Sequence, residues 1–151
     1  MEFDGAPTRL RSAPSWLLGQ ASIQAARLVT DGFASADSRR YHYSMLAALE
    51  EFGPASQASL GRRCGIDRSD VVAVVNELAE RGLVERTPDP ADRRRNTITI
   101  TAAGVEHLRR LDSVLSAIQD DLLGSLAEDE RETLTRLLGK VLDHHRRGSV
   151  S

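Results

Sequence analysis

Residues 65–104 read GIDRSDVVAVVNELAERGLVERTPDPADRRRNTITITAAG, and the fold is decided by how this stretch is read. Asp67 stands where a helix N-cap belongs, and Val71, Val74, Val75 and Leu78 follow on one helical face until Gly82 ends the pattern. Residues 84–86 and 97–101 then read as strands, the second turning Ile98 and Ile100 inward and Thr97, Thr99 and Thr101 outward. The segment TPDPADRRRN between them is a loop. Just upstream, Ser56 is placed to cap a short helix holding Ala58, Leu60 and Cys64, and Gly65 supplies the turn residue after it. Helix, turn, helix, strand, loop, strand is the order of a helix-turn-helix with a β-hairpin wing.

The faces of these elements suggest their chemistry. With the valines and Leu78 turned to the core, the second helix presents Arg68, Ser69, Val72, Ala73 and Asn76 to solvent. Most of these are small or hydrogen-bonding, which suits a helix entering a major groove about 12 Å wide. Arg68 has the donors for guanine or phosphate, Asn76 the amide for adenine or phosphate, and Val72 and Ala73 the methyl groups for thymine. Ser56 and Gln57, opening the first helix of the pair, are assigned to the same surface. Asp70 fits less well, and is read as returning the cap or pointing away from phosphate. In the loop, Arg93, Arg94 and Arg95 are adjacent like charges that repel one another without a counter-charge. A minor groove supplies one, and Asp92 is placed to orient a guanidinium entering it.

Around this lobe the chain is mainly helical. Residues 1–14, with Gly5, Pro7 and Pro14, read as a flexible arm. Ser15 caps a long helix in which Leu18, Ala21, Ala25, Leu28 and Val29 recur. A second helix opens near Ser38, carries Tyr43, Leu46, Ala47 and Leu49, and stops at Phe52-Gly53-Pro54. After the wing, Val105, Leu108, Leu111, Leu115, Ile118 and Leu122 mark a helix that Gly124 and Ser125 interrupt. Leu134, Leu137, Leu138, Val141 and Leu142 mark another. The expected organisation is a winged lobe over 38–101, terminal helices over 15–36 and 102–147 forming a dimerisation region, and a tail over 148–151. A lobe of a few dozen residues cannot cover three long amphipathic helices, so a twofold mate is expected to cover them.

The bulk composition narrows the alternatives. The 20 Lys and Arg nearly cancel the 22 Asp and Glu, leaving a net charge of -2, so any nucleic-acid surface must be local. One cysteine in 151 residues excludes an internal disulfide framework and a cysteine-rich zinc site, and fits a reducing cytoplasm. No apolar run approaches the roughly 20 residues that span a bilayer, and the first residues lack the apolar core of a signal peptide. A cytoplasmic protein without membrane contact is the expectation.

Four stretches taken together, DPADRRRNTITITAAG, HYSML, GIDRSDVVAVVNELAERGLVER and LAEDERETLTRLLGKVL, resemble the multiple antibiotic resistance regulator (MarR) family along nearly the whole chain. In the wing the resemblance lies in Asp92, Arg94, Ile98, Ile100, Thr101 and Gly104. It implies a homodimer whose first helix and last two helices intertwine, with two winged lobes placing their second helices in successive major grooves of pseudo-palindromic double-stranded DNA. It also implies that Arg94 enters the minor groove with Asp92 as its partner. Ala73 departs from the polar or basic residue often found there in the family, so base contacts do not carry over. Family members resemble one another in being released from DNA by small aromatic or phenolic ligands. Trp16, Arg27, His42 and Tyr43 are the candidate lining here, each also readable as packing or surface.

Other readings remain beside this one. Cys64 would carry a thiol-based redox regulator, against its simpler reading as a small buried hydrophobe. His107, His144 and His145 have no surrounding ligand constellation, so neither a metal nor a cofactor is expected. No nucleophile with a base, phosphate-binding glycine loop or paired catalytic carboxylates points to an enzyme. Glu128, Asp129, Glu130 and Glu132 sit at a helix start, where the helix dipole favours them. A winged module that binds protein instead of DNA is the further alternative, and the arginine wing speaks for DNA.

Overall fold

The computed structural model describes residues 5–92 and 94–148. Its elements run α1 (Thr8–Arg11), α2 (Pro14–Ala34), α3 (Arg40–Phe52), β1 (Ala55–Ser56), α4 (Gln57–Cys64), α5 (Arg68–Glu80), β2 (Val84–Pro88), β3 (Asn96–Ile100), α6 (Ala102–Leu122) and α7 (Glu128–Gly148). The chain is mainly α with a small antiparallel sheet, ordered β1-β3-β2, as expected for a helix-turn-helix with a wing.

Several boundaries differ from the expectation for local reasons. The arm contains a short helix, α1. Ser15 does not cap α2: Ala13 is the N-cap and Pro14 takes the first turn, where its fixed φ and missing N–H cost nothing. The next helix starts at Arg40, because Ser38 is buried in the preceding turn, its hydroxyl donating to Ala36 O at 3.2 Å and meeting His107 Nε2 at 2.8 Å. Asp67 holds the N-cap position of α5, but its side chain makes no cap hydrogen bond. The two-residue β1 was not foreseen. It pairs Ala55 with Ile98 and Ser56 with Thr97, completing the ladder on the free side of β3. On the other side Val84 pairs with Ile100 and Pro88 with Asn96, so the hairpin extends to Pro88.

The chain divides into two compact units, one ending at Ile118 and the other beginning at Gln119. In the first, the residues assigned to the inner face of α5 are all buried, Val71 at 2% exposure and Val74, Val75 and Leu78 at 0%. They join Met45, Leu46 and Leu49 of α3, Leu60 of α4, Val84 and Ile98 of the sheet, and Leu108 and Leu111 of α6 in one core. Phe33 of α2 stacks on Tyr43 with ring centroids 5.5 Å apart. In the second unit, Glu130 Oε1 accepts from Ala127 N at 2.9 Å and Arg131 Nη1 donates to Asp120 Oδ1 at 2.8 Å, which fixes the turn into α7. No residue of α7 is buried within the chain, and Leu137, Val141 and Leu142 stand exposed.

Candidate nucleic-acid interface

The exposed face of α5 follows from its buried one. Because Val71, Val74, Val75 and Leu78 face the core, Arg68, Ser69, Val72, Ala73 and Asn76 all lie exposed. Ser69, Val72, Ala73 and Asn76 sit at i, i+3, i+4 and i+7, a single stripe along the helix. Asp70 is exposed in the first turn. Ser56 and Gln57, half-buried at the start of α4, differ from the stripe: Ser56 Oγ is engaged as the cap, accepting from Ser59 N at 3.2 Å.

Contacts at three places hold α5 and the wing. Glu77, on the flank of α5, receives Arg39 Nη2 at 2.8 and 2.7 Å on its two carboxylate oxygens and meets His42 Nε2 at 2.6 Å. His42 Nδ1 accepts from the Arg39 backbone N at 3.0 Å, so the ring proton sits on Nε2 and points at Glu77. Burial pushes the His42 imidazolium below its ordinary range, against the opposing pull of Glu77, while the Arg39 guanidinium chiefly lowers the Glu77 carboxyl. At the wing base, Thr101 N donates to Leu83 O at 3.1 Å, Thr101 Oγ1 donates to Gly82 O at 2.7 Å and accepts from Gly104 N at 3.0 Å. Between helix and wing, Arg86 Nη2 donates to Asn76 Oδ1.

The wing tip is shaped by two aspartates. Asp89 Oδ1 accepts from Ala91 N at 2.9 Å, and Asp92 Oδ1 accepts from Arg94 N at 3.0 Å, both turns of the Asx kind. Asp92 also lies 3.4 Å from Arg94 Nε and 3.9 Å from Arg95 Nε. The Arg94 side chain is 93% exposed and that of Arg95 72%, so both guanidinium groups stand out from the hairpin. Arg93, the third arginine of the run, lies outside the described residues.

The four residues considered for a ligand are not gathered in one cavity. Trp16 is half-exposed on α2, and Arg27 is exposed, donating to Gln24 Oε1 at 3.1 Å. His42 is buried in the contacts above, and the Tyr43 hydroxyl donates to Asp112 Oδ1 at 2.8 Å, its pKa pushed up to about 12 by burial and then by Asp112. A cavity of about 240 Å³ lies between the end of α2 and the start of α3, lined by Thr30, Ala34, Ser38, Arg39, Arg40 and Tyr41. Cys64 is half-buried with Sγ 3.5 Å from Ser44 O, and burial raises its thiol pKa although Arg63 opposes this, which favours the unreactive thiol. Among the described residues no cluster of His, Cys, Asp and Glu is suited to a metal ion, and no helix is long and apolar enough to cross a membrane.

Sequence reasoning missed Arg86, Arg39 and Glu77. A usable signal existed for Arg86, since it stands two residues after Val84 and therefore leaves β2 on the same face, toward α5.

Comparison with known proteins agrees with this geometry. The model described as MarR family matches residues 37–95. The chain is 34% identical over 127 residues to an uncharacterized HTH-type transcriptional regulator, YcgE, of Bacillus subtilis, covering 84% of this chain and 76% of that one. It is 35% identical over 98 residues to the HTH-type transcriptional repressor NicR of Pseudomonas putida, covering 65% of this chain and 62% of that one, so the match spans less than two thirds of NicR. Among solved structures, Bordetella bronchiseptica BpsR, whose DNA binding is described as regulated by 6-hydroxynicotinic acid, superposes with a TM-score of 0.76 at 25% identity, covering 91% of this chain and 99% of that one. This chain belongs to the MarR family of winged-helix, DNA-binding transcription regulators.

Proposed function

We propose that this chain is a homodimeric cytoplasmic repressor that grips pseudo-palindromic duplex DNA and is released by a small aromatic or phenolic acid. In each half-site α5 enters the major groove with Arg68, Ser69, Val72, Ala73 and Asn76 toward the base edges, supported from the start of α4 by Ser56 and Gln57. The wing sends Arg94 into the adjacent minor groove, with Asp92 holding its stem and Arg95 beside the backbone. The observation that carries this reading is the pairing of a small-residue stripe, backed by four buried apolar residues, with a guanidinium standing out from the hairpin. A helix of that relief reaches base edges, and an arginine whose side chain stands in solvent is drawn by the enhanced negative potential of a narrow minor groove.

Dimerisation is supported by apolar side chains left open on two helices, Leu17, Leu18 and Ile23 on α2 and Leu137, Val141 and Leu142 on α7. A second copy of the chain covers them. Repression and release by an aromatic acid rest on NicR and BpsR, and the arginine-lined cavity beside Tyr41 has the chemistry for a carboxylate. The test is fluorescence anisotropy with labelled duplex from the promoter beside the protein's own gene. Binding that is lost on a scrambled duplex and reversed by hydroxylated aromatic acids supports the proposal. Equal binding to both duplexes contradicts it.

A further inference from the structure

Val84 and Arg86 leave β2 on the same face, and the first is 2% exposed in the core while the second stands in solvent at the edge of α5. There its Nη2 donates to Asn76 Oδ1. A guanidinium has five donors and no acceptor, so the Asn76 atom facing it is the carbonyl oxygen, however the amide is oriented by convention. The half of the Asn76 amide turned away from Arg86 is then its Nδ2 group, with two N–H donors. Asn76 also closes the exposed stripe that begins at Ser69, so this amide stands at the end of the groove-facing surface nearest the wing.

We infer that Arg86 is a positioning residue that turns the donor half of the Asn76 amide toward the major groove, favouring guanine over adenine at the base pair it meets. An unconstrained asparagine pairs with adenine through both halves of its amide, the oxygen accepting from N6 and the nitrogen donating to N7. Arg86 takes one lone pair of the oxygen and holds that half of the amide turned toward β2, which works against this two-point pairing. Guanine offers N7 and O6, two adjacent acceptors, to the donor half, whereas adenine sets its own N6 donor against it. The inference rests on the proposed DNA binding and extends it by assigning a base preference and a residue that does not itself read the base. Arg86 and Asn76 are both exposed, so replacing either leaves the core intact.

The full-length protein is used to select duplexes from a randomised pool, and the selected operator is then titrated with each base at each position. Asn76→Ala is expected to relax one position per half-site, at which the native protein prefers guanine to adenine by about tenfold. Arg86→Ala is expected to erase that preference or turn it toward adenine, and Arg86→Lys, whose ammonium also donates to Oδ1, to restore it. If Arg86→Ala weakens every duplex equally and leaves the preference unchanged, Arg86 is a phosphate contact and the inference is overturned. It is equally overturned if Asn76→Ala relaxes no position. A native protein that binds no duplex at all contradicts the DNA-binding proposal itself, a separate and recognisable failure.

Discussion

Nε2 of His42 lies 2.6 Å from Oε2 of Glu77, and through that contact the start of α3 is joined to the helix that carries the exposed stripe. Since Nδ1 is already committed to the Arg39 backbone N–H, a second ring proton has no acceptor to meet and would displace the N-terminal turn of α3. His107, buried against Ser38, is the other imidazole held neutral in this core.

Both histidines are lowered from the ordinary value of 6.5, in each case chiefly by burial; Arg39 and Arg81 add to this around His42, and Arg81, Arg110 and His42 around His107. The unfolded chain therefore binds more protons than the folded one just below pH 6.5. Stability is full above that value and falls as the pH drops through it toward the lower folded values. Glu77, itself lowered from 4.5, adds a further loss in more acid solution. Thermal melts between about pH 7.5 and about pH 5.5 are expected to show a falling Tm. His107→Gln, which keeps a donor for Ser38 but cannot be charged, is expected to flatten the slope, and an unchanged slope would show that His107 does not contribute to it.

Gly104 is expected to be irreplaceable for steric reasons. A Cβ there would run into the Leu83 carbonyl oxygen and lie 2.7 Å from Ile100 Cγ1, and a carbonyl fixed by Thr101 N has no room to retreat. Gly104→Ala is expected to cost about 2–4 kcal/mol in urea unfolding, and to loosen the wing base before the core. A loss below about 0.5 kcal/mol, the size usual for a surface substitution, would show that the contact is not tight.

The open face of α7 leads to a prediction about assembly. Val141 is 44% exposed and Leu137 47%, on a helix with no buried residue of its own. Sedimentation equilibrium is expected to give twice the chain mass of 16.5 kDa, and Val141→Glu to shift the distribution toward single chains by placing an unpaired carboxylate where the mate packs. A native protein sedimenting at the single-chain mass contradicts the dimer.

The parts of this fold that were legible from sequence are those with a period. The inward face of α5 declared itself because Val71, Val74, Val75 and Leu78 repeat with the helical turn, and Ile98 and Ile100 did the same for β3 with a period of two. β1 has only two residues and no alternation to detect. The Arg39–Glu77, Tyr43–Asp112 and Arg86–Asn76 contacts join residues 38, 69 and 10 positions apart, and pairs across elements leave no periodic trace in one chain. The site divided in the same way: the stripe and the wing followed from local pattern, whereas the orientation of the Asn76 amide depends on a strand neighbour that only the folded sheet supplies.

In the proposed complex a guanidinium at the wing tip and the stripe on α5 hold one duplex together, and Arg94 is the residue to replace because its side chain is 93% exposed. Binding of the native protein and of Arg94→Ala to the selected operator is measured across a series of salt concentrations. The variant is expected to fold and melt as the native protein does, to bind at least about tenfold more weakly, and to show a salt dependence shallower by about one unit per half-site. Equal affinity and an equal salt slope for the two proteins would contradict the proposed complex.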